Sequence, residues 1–372
     1  MTDIVEMTRL CSVCYKMCRD VCSVAGATRH EADSPHNRAF IAYEVMHGKR
    51  ELTPEIVDYF YRCSLCKACR EACEPGHDAG EVLFAARKDL DDNLLPETLR
   101  SVKEKISSPK PYGEESEAIR KLIGTVKPDG DAPLLLFGQK MRAGSADGID
   151  QIGRVLSLMK KLGASFSAFE DEPATGQLPY FLGFTGAGKK RAEELAEQMR
   201  SAKVKSVVPL SADDFRMLKV GYPALGIETG SIELISLPEY LLSLIVKKKP
   251  RFNNDGNIAV TYHDSCGLGR EGRIFEQPRE ILRMIPGVNL TEMALTKDQA
   301  PCCGYGVGLS FTHPEITKAM ANRLAELGKN TGAAIMVTGC PTCRDTILEN
   351  IDDRSTVPEI LDIILFLDRM IP

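Results

Sequence analysis

"PCCGYGVG", residues 301–308, sets two cysteines side by side on a glycine-rich loop. Neighbouring residues of a strand point to opposite faces and those of a helix diverge, so packing alone does not call for consecutive thiols. The pair reads as two sulfurs wanted at one place. Working outward, thirty-five residues separate Cys266 in "HDSCGLGR" from Cys302, and thirty-six separate Cys303 from Cys340, which "GCPTC" follows with Cys343. Between these loops the short apolar runs "IAVTYH" and "AAIMV" alternate with the amphipathic stretches "REILRMIPG" and "ITKAMANRLAELGK". Strand and helix in alternation predict an α/β unit with a mainly parallel sheet.

The same alternation already runs through "PLLLF", "IGRVLSLMKKLG", "AEELAEQMRSAK" and "KSVVPL", and the charged linker "KKKPRFNNDGN" separates the two stretches. Residues 131–245 and 256–372 therefore read as two copies of one unit. Laid over each other, they put Ser211 and Asp214 opposite Cys340 and Cys343, and Ala174 and Thr175 opposite Cys302 and Cys303. The first copy is expected to keep the fold without the thiols.

The other eight of the thirteen cysteines precede both units in two quartets: Cys11, Cys14, Cys18 and Cys22 in "CSVCYKMCRDVC", and Cys63, Cys66, Cys69 and Cys73 in "CSLCKACREAC". The second quartet has the C-x2-C-x2-C-x3-C spacing by which three thiolates wrap one corner of a [4Fe-4S] cube while the fourth reaches a neighbouring cube. The first carries one extra residue between Cys14 and Cys18, and neither has a proline directly after its last cysteine, the nearest being Pro75. Four-thiolate zinc is the alternative, but zinc sites usually separate their cysteine pairs by about a dozen residues or more. Ser34-Pro35 and Thr53-Pro54 are helix starts, with a cap and then proline at the first helical position. Residues 1–108 are expected to form an α-helical domain.

Composition narrows the classes. The apolar fraction of 43% in 372 residues suits a globular chain of two or three domains, and a net charge of -5 without a Lys/Arg stripe argues against a nucleic-acid partner. No run of about eighteen apolar residues predicts a membrane span, and "MTDIVEMTRL" has no signal-peptide pattern. A cytoplasmic location is expected, where thirteen thiols stay reduced and favour metal over disulfides.

At this point the chain resembles known families. The two quartets are similar to those of two-cluster ferredoxins, which implies one [4Fe-4S] cubane on Cys11, Cys14 and Cys18 with Cys73, and another on Cys63, Cys66 and Cys69 with Cys22. C-x35-C-C-x36-C-x2-C resembles the CCG signature of heterodisulfide-reductase-type iron–sulfur oxidoreductases. The whole arrangement looks like an α-helical ferredoxin-like domain followed by a pseudo-duplicated pair of α/β CCG halves. Similar proteins are iron–sulfur subunits for glycolate, lactate or glycerol-3-phosphate oxidation and for electron-bifurcating complexes. The resemblance implies a third [4Fe-4S] cluster on Cys266, Cys302, Cys303, Cys340 and Cys343, which in the family can be non-cubane. Gly304, Gly306 and Gly267 would let the backbone approach it, and His263 would serve as a proton donor or as support for a ligand.

The function implied is electron transfer within a redox complex, with a flavoprotein or another redox subunit as partner and no bar to a membrane-bound one. Reduction of a heterodisulfide or quinone at the CCG cluster is the enzymatic alternative, and a zinc-organised scaffold the third. The stretch "GFTGAGKK", Gly183 to Lys190, imitates a phosphate loop, but Lys190 stands where magnesium binding needs Ser or Thr.

Overall fold

Capping fixes the helix starts of the N-terminal region in the computed structural model, which describes residues 4–15, 17–124, 131–143, 145–253 and 256–372. Ser34 Oγ accepts from the backbone N–H of Asn37 at 3.3 Å and Pro35 takes the first position of helix Pro35–Met46. Thr53 does the same for Ile56 at 3.4 Å ahead of helix Pro54–Tyr61. Both starts fall where the Ser-Pro and Thr-Pro pairs predict them. Together with helices Ile4–Ser12 and Ala79–Arg87, these bury Met7, Ala42, Phe60 and Leu83 in a core that continues into Leu134, Leu136 and Val207 of the first sheet.

Two small parallel sheets follow, in a chain otherwise dominated by helix. Strands β1 (Leu134–Leu136), β2 (Ser206–Pro209) and β3 (Glu233–Leu234) lie in that order. Strands β4 (Ile258–His263), β5 (Val288–Leu290), β6 (Ile335–Thr338) and β7 (Glu359–Asp362) form the second sheet in the order β5-β4-β6-β7. All pairings are parallel, so each connection must cross back over the sheet, and helices do this. The chain leaves β4 toward β5 on one side and returns to β6 on the other. Such a reversal opens a crevice at the carboxyl ends of the two strands, where α/β proteins place their ligands. Cys266 follows β4, and Cys340 follows β6.

The two sheets share one apolar core. Leu135, Val208 and Leu241 from the first half meet Val260, Val337, Phe366 and Leu367 from the second. Helix Ala146–Lys161 reaches the C-terminal helix Ile363–Met370 through Asp368, which accepts from Ser157 Oγ at 2.7 Å and pairs with Lys161 Nζ at 2.9 Å. The phosphate-loop imitation ends here: helix Thr185–Ser201 has already begun at Thr185, and Gly188 lies inside it against Tyr180. Among the described residues no helix is long and apolar enough to cross a membrane.

A buried ion pair holds the end of β4. Arg279 and Asp264 are each 1% exposed at the side chain and form a two-pronged contact, both prongs at 2.8 Å. Asp264 also accepts from the backbone N–H of Lys297 at 2.8 Å, tying the Cys266 loop to the approach of the Cys302 loop. Removing the guanidinium would leave a buried carboxylate unpaired. Urea unfolding of Arg279→Met is expected to show a loss of about 3–5 kcal/mol. Glu292→Gln, at the half-buried second partner of Arg279, should lose about 1 kcal/mol or less.

Candidate metal centres

The three loops at the β4/β6 crevice bring five sulfurs together. Thiol contacts run from Cys266 to Cys302, from Cys302 to Cys303, from Cys303 to Cys343 and from Cys343 to Cys340. Cys302, Cys303, Cys340 and Cys343 are buried, and Cys266 is partly so. Cys340 Sγ also accepts from the backbone N–H of Ala212 at 3.3 Å, so the first half supplies part of the wall. The adjacent pair thus places both sulfurs in one cluster, one turned toward Cys266 and the other toward Cys343.

The two quartets cross. Cys63, Cys66 and Cys69 line a small cavity of about 20 Å³ together with Cys22 of the other motif. Cys11, Cys14 and Cys18 line a larger one of about 300 Å³ together with Cys73, and Cys69 borders both. Of the residues between Cys14 and Cys18, where the first motif is longer, Tyr15 and Met17 face solvent. Among the described residues no three His, Cys, Asp or Glu side chains converge as a mononuclear ion site. The eight quartet sulfurs stand around cavity walls instead. Donor sets of four and five thiols are the soft ligands that iron–sulfur groups require, and the residues present fit such groups.

Burial decides the charge state of the free thiols. It is the main reason that the Cys11 thiol is pushed up to about 12 and the Cys18 thiol to about 11, with neighbouring sulfurs adding to the effect. In the five-thiol set the Cys303 thiol moves the other way, downward, under the influence of the neighbouring Cys302 and Cys343 thiols. Thiolates crowded out of water need a cation to balance them, so metal binding here would be coupled to loss of the thiol protons.

His263 lies at the end of β4, fully buried between β6 and the Cys302 loop. A carbonyl can only accept, so Nε2–H donates to Pro301 O at 3.1 Å and Nδ1 accepts from the Thr338 hydroxyl at 3.1 Å. Burial holds its pKa down at about 4, and the neutral ring acts as a strut for the loop. Gly304 receives a hydrogen bond on its carbonyl from Thr317 Oγ1 at 2.9 Å. Gly306 and Gly267 are close-approach positions, and their nearest neighbours are protein. A Cβ at Gly306 would stand 2.8 Å from Ser64 Cβ, and one at Gly267 would stand 2.3 Å from Ala212 O. The backbone N–H of Cys302 donates to Ser23 Oγ at 2.8 Å, so the loop with the paired cysteines is fastened to residues next to both quartets.

In the first half, Thr175, Ser211 and Asp214 also meet. Both hydroxyls donate to the Asp214 carboxylate, Ser211 at 2.8 Å, and burial raises the pKa of that carboxyl. Sequence reading missed the arginines. Arg38, 1% exposed, has Nη1 4.0 Å from Cys22 Sγ, and Arg270, 2% exposed, bonds the carbonyl of Cys66.

The chain is similar to several known proteins. Residues 260–347 match the family model of the CCG cysteine-rich domain. The chain is 26% identical to one of the subunits of the dihydromethanophenazine:CoB–CoM heterodisulfide reductase of Methanosarcina barkeri, over 88% of this chain and 83% of that one. It is 32% identical to one of the subunits of the CoM/CoB fumarate reductase of Methanothermobacter marburgensis, over 43% of this chain and 31% of that one. Against the EtfAB:quinone oxidoreductase of Syntrophomonas wolfei, identity is 23% over 83% of this chain and 46% of that one.

The two kinds of glycine separate experimentally. Gly267→Ala drives a methyl group into a backbone carbonyl and is expected to destabilise by about 1–3 kcal/mol. Gly153→Ala, inside helix Ala146–Lys161 with open space beside it, should stabilise by about 0.5–1 kcal/mol. Thermal unfolding of both variants checks the pair.

Proposed function

We propose, for a chain that carries a CCG domain and is homologous to a component of heterodisulfide reductase, that it is an electron-transferring iron–sulfur subunit of a larger redox complex. Its thirteen cysteines would hold three groups: cubanes on Cys11, Cys14, Cys18 and Cys73 and on Cys22, Cys63, Cys66 and Cys69, and a third group on Cys266, Cys302, Cys303, Cys340 and Cys343. The observation that carries this reading is the crossing of the quartets, with Cys73 in the first cavity and Cys22 in the second. Iron–sulfur groups bound there supply reversible one-electron transfer.

The protein's own part is to hold these sites in series. Cys14 is exposed and lies at the surface end of the first set. Cys69 borders the first and second sets, and the contacts of Gly306 with Ser64 and of Cys302 with Ser23 join the second to the third. The division that suits this work is a ferredoxin-like helical domain over 1–108, a CCG-like half without thiols over 131–245 and a CCG half over 256–372. Two parallel sheets in one chain, and the convergence of Thr175, Ser211 and Asp214, support reading the halves as a duplication in which hydrogen bonds replaced the first ligand set.

The space between the halves and the side chains that line it bear on the enzymatic alternative. Between the halves, Tyr305, Thr175, Asp213 and Asp214 line a polar space of about 40 Å³. That admits a few water molecules, whereas small-molecule sites run to roughly 300–1,000 Å³. The first half has Thr175, Ser211 and Asp214 where the second has thiols, and a single set of thiols favours electron transfer to a partner over reduction of a disulfide held between two clusters. The partner is a flavoprotein or other redox protein, and a membrane-bound one is compatible.

Two measurements test the reading. Cys22→Ser should abolish the EPR signal of the centre on Cys63, Cys66 and Cys69 and spare that of the centre on Cys11, Cys14 and Cys18; the opposite loss would mean that the quartets do not cross. The reduced, anaerobically prepared chain should give up electrons readily to flavins yet turn over small disulfides slowly. Brisk disulfide turnover by the isolated chain would favour the enzymatic alternative.

A further inference from the structure

Arg270 stands on the π-helical turn Gly267–Glu271, directly after Cys266, with 2% of its surface exposed. Its Nε donates to the carbonyl of Cys66 at 2.5 Å, and its Nη1 donates to the carbonyls of Ala300 at 2.7 Å and Asp298 at 3.1 Å. One side chain therefore bonds the loop of the second quartet and the strand of chain that enters the Cys302 loop. The sulfurs of Cys66, Cys69, Cys266 and Cys302 are the groups whose charge, as thiolates, acts most strongly on it.

Burying a guanidinium is costly unless an anion balances it. Arg38 has Asp33 at 3.7 Å, and Arg279 has Asp264. Arg270 takes part in none of the ion pairs among the described residues, and its Nη2 has no hydrogen-bond partner there. Arg87 also faces carbonyls, those of Phe60 and Cys63, but it borders one sulfur set only. The charge of Arg270 lies between two sulfur sets, with no carboxylate in ion-pair contact among the described residues.

We infer that Arg270 is an electrostatic bridge between the second quartet and the five-thiol site, its fixed positive charge favouring the reduced state of both. This rests on the iron–sulfur reading of those sites given above. Each one-electron reduction, by a low-potential external donor, adds one negative charge to a thiolate-bound site, and Arg270 stays protonated throughout, so no proton need move. A cation shared by two sites stabilises that added charge at each and weakens the repulsion between them when both are reduced. Cys11, Cys14, Cys18 and Cys73 are not among those sulfurs, so the first quartet serves as an internal reference.

The test is an EPR-monitored redox titration of the anaerobically prepared full chain as wild type, Arg270→Gln and Arg270→Lys. Arg270→Gln is expected to lower the reduced-to-oxidised ratio at fixed potential by about tenfold, a shift of about 59 mV per electron, at the second-quartet and five-thiol centres alike. The midpoint of the first-quartet centre should stay where it is. Arg270→Lys, which keeps the charge, should hold both affected centres near their wild-type midpoints. Unchanged midpoints in an iron-replete Arg270→Gln chain, an equal shift of all three centres, or a Lys variant displaced as far as the Gln variant would each overturn the bridge alone. If Arg270→Gln does not retain iron, the Lys variant decides: retained midpoints support the bridge and displaced ones overturn it. A wild-type chain without iron would overturn the function proposed above and the bridge with it.

Discussion

The loop that carries Cys302 and Cys303 is fastened at its base to the helical region, and the arrangement of all three sulfur sets depends on that attachment. The Cys302 N–H bonds Ser23, Gly306 presses on Ser64, and Arg270 reaches Cys66. Each contact spans more than two hundred residues of sequence, and each lands on or next to a cysteine of a quartet. A side chain at Gly306 or a shorter residue at 270 would part surfaces that now meet closely. The loop is pinned from its other face by His263 and Asp264 at the end of β4. Five thiols can meet there because the chain reverses direction around β4, opening a crevice between β4 and β6 into which three separate loops converge.

Much of this was legible in the sequence. The cysteine spacings gave the three sets, and the alternation of apolar runs with amphipathic stretches gave β1, β2, β4 and β6 where they occur. The overlay of the two halves paired Thr175, Ser211 and Asp214 with cysteines, and those three side chains do meet. Strands β3, β5 and β7 were not foreseen. They are two to four residues long, carry Glu233, Asn289 and Glu359, and owe their extended form to a neighbouring strand already in place rather than to any pattern of their own.

The buried arginines were illegible for a different reason. Arginine in a sequence reads as surface, and nothing local distinguishes Arg270 or Arg279 from the exposed Arg283. Their burial comes from partners distant along the chain: Asp264 for Arg279, and the carbonyls of Cys66 and Ala300 for Arg270. The glycines were read as making room for a bound group, but the space beside Gly267 and Gly306 is taken up by Ala212 and Ser64. A glycine in a motif reports that something comes close, and only the fold says what.

The central claim is that the thirteen cysteines form three iron–sulfur sites, two of them crossed between motifs. Iron and acid-labile sulfide measured per chain on anaerobically isolated protein test it most directly. Three four-iron groups predict a brown protein with about twelve irons and a matching amount of sulfide. A colourless protein with stoichiometric zinc and no sulfide would contradict the account.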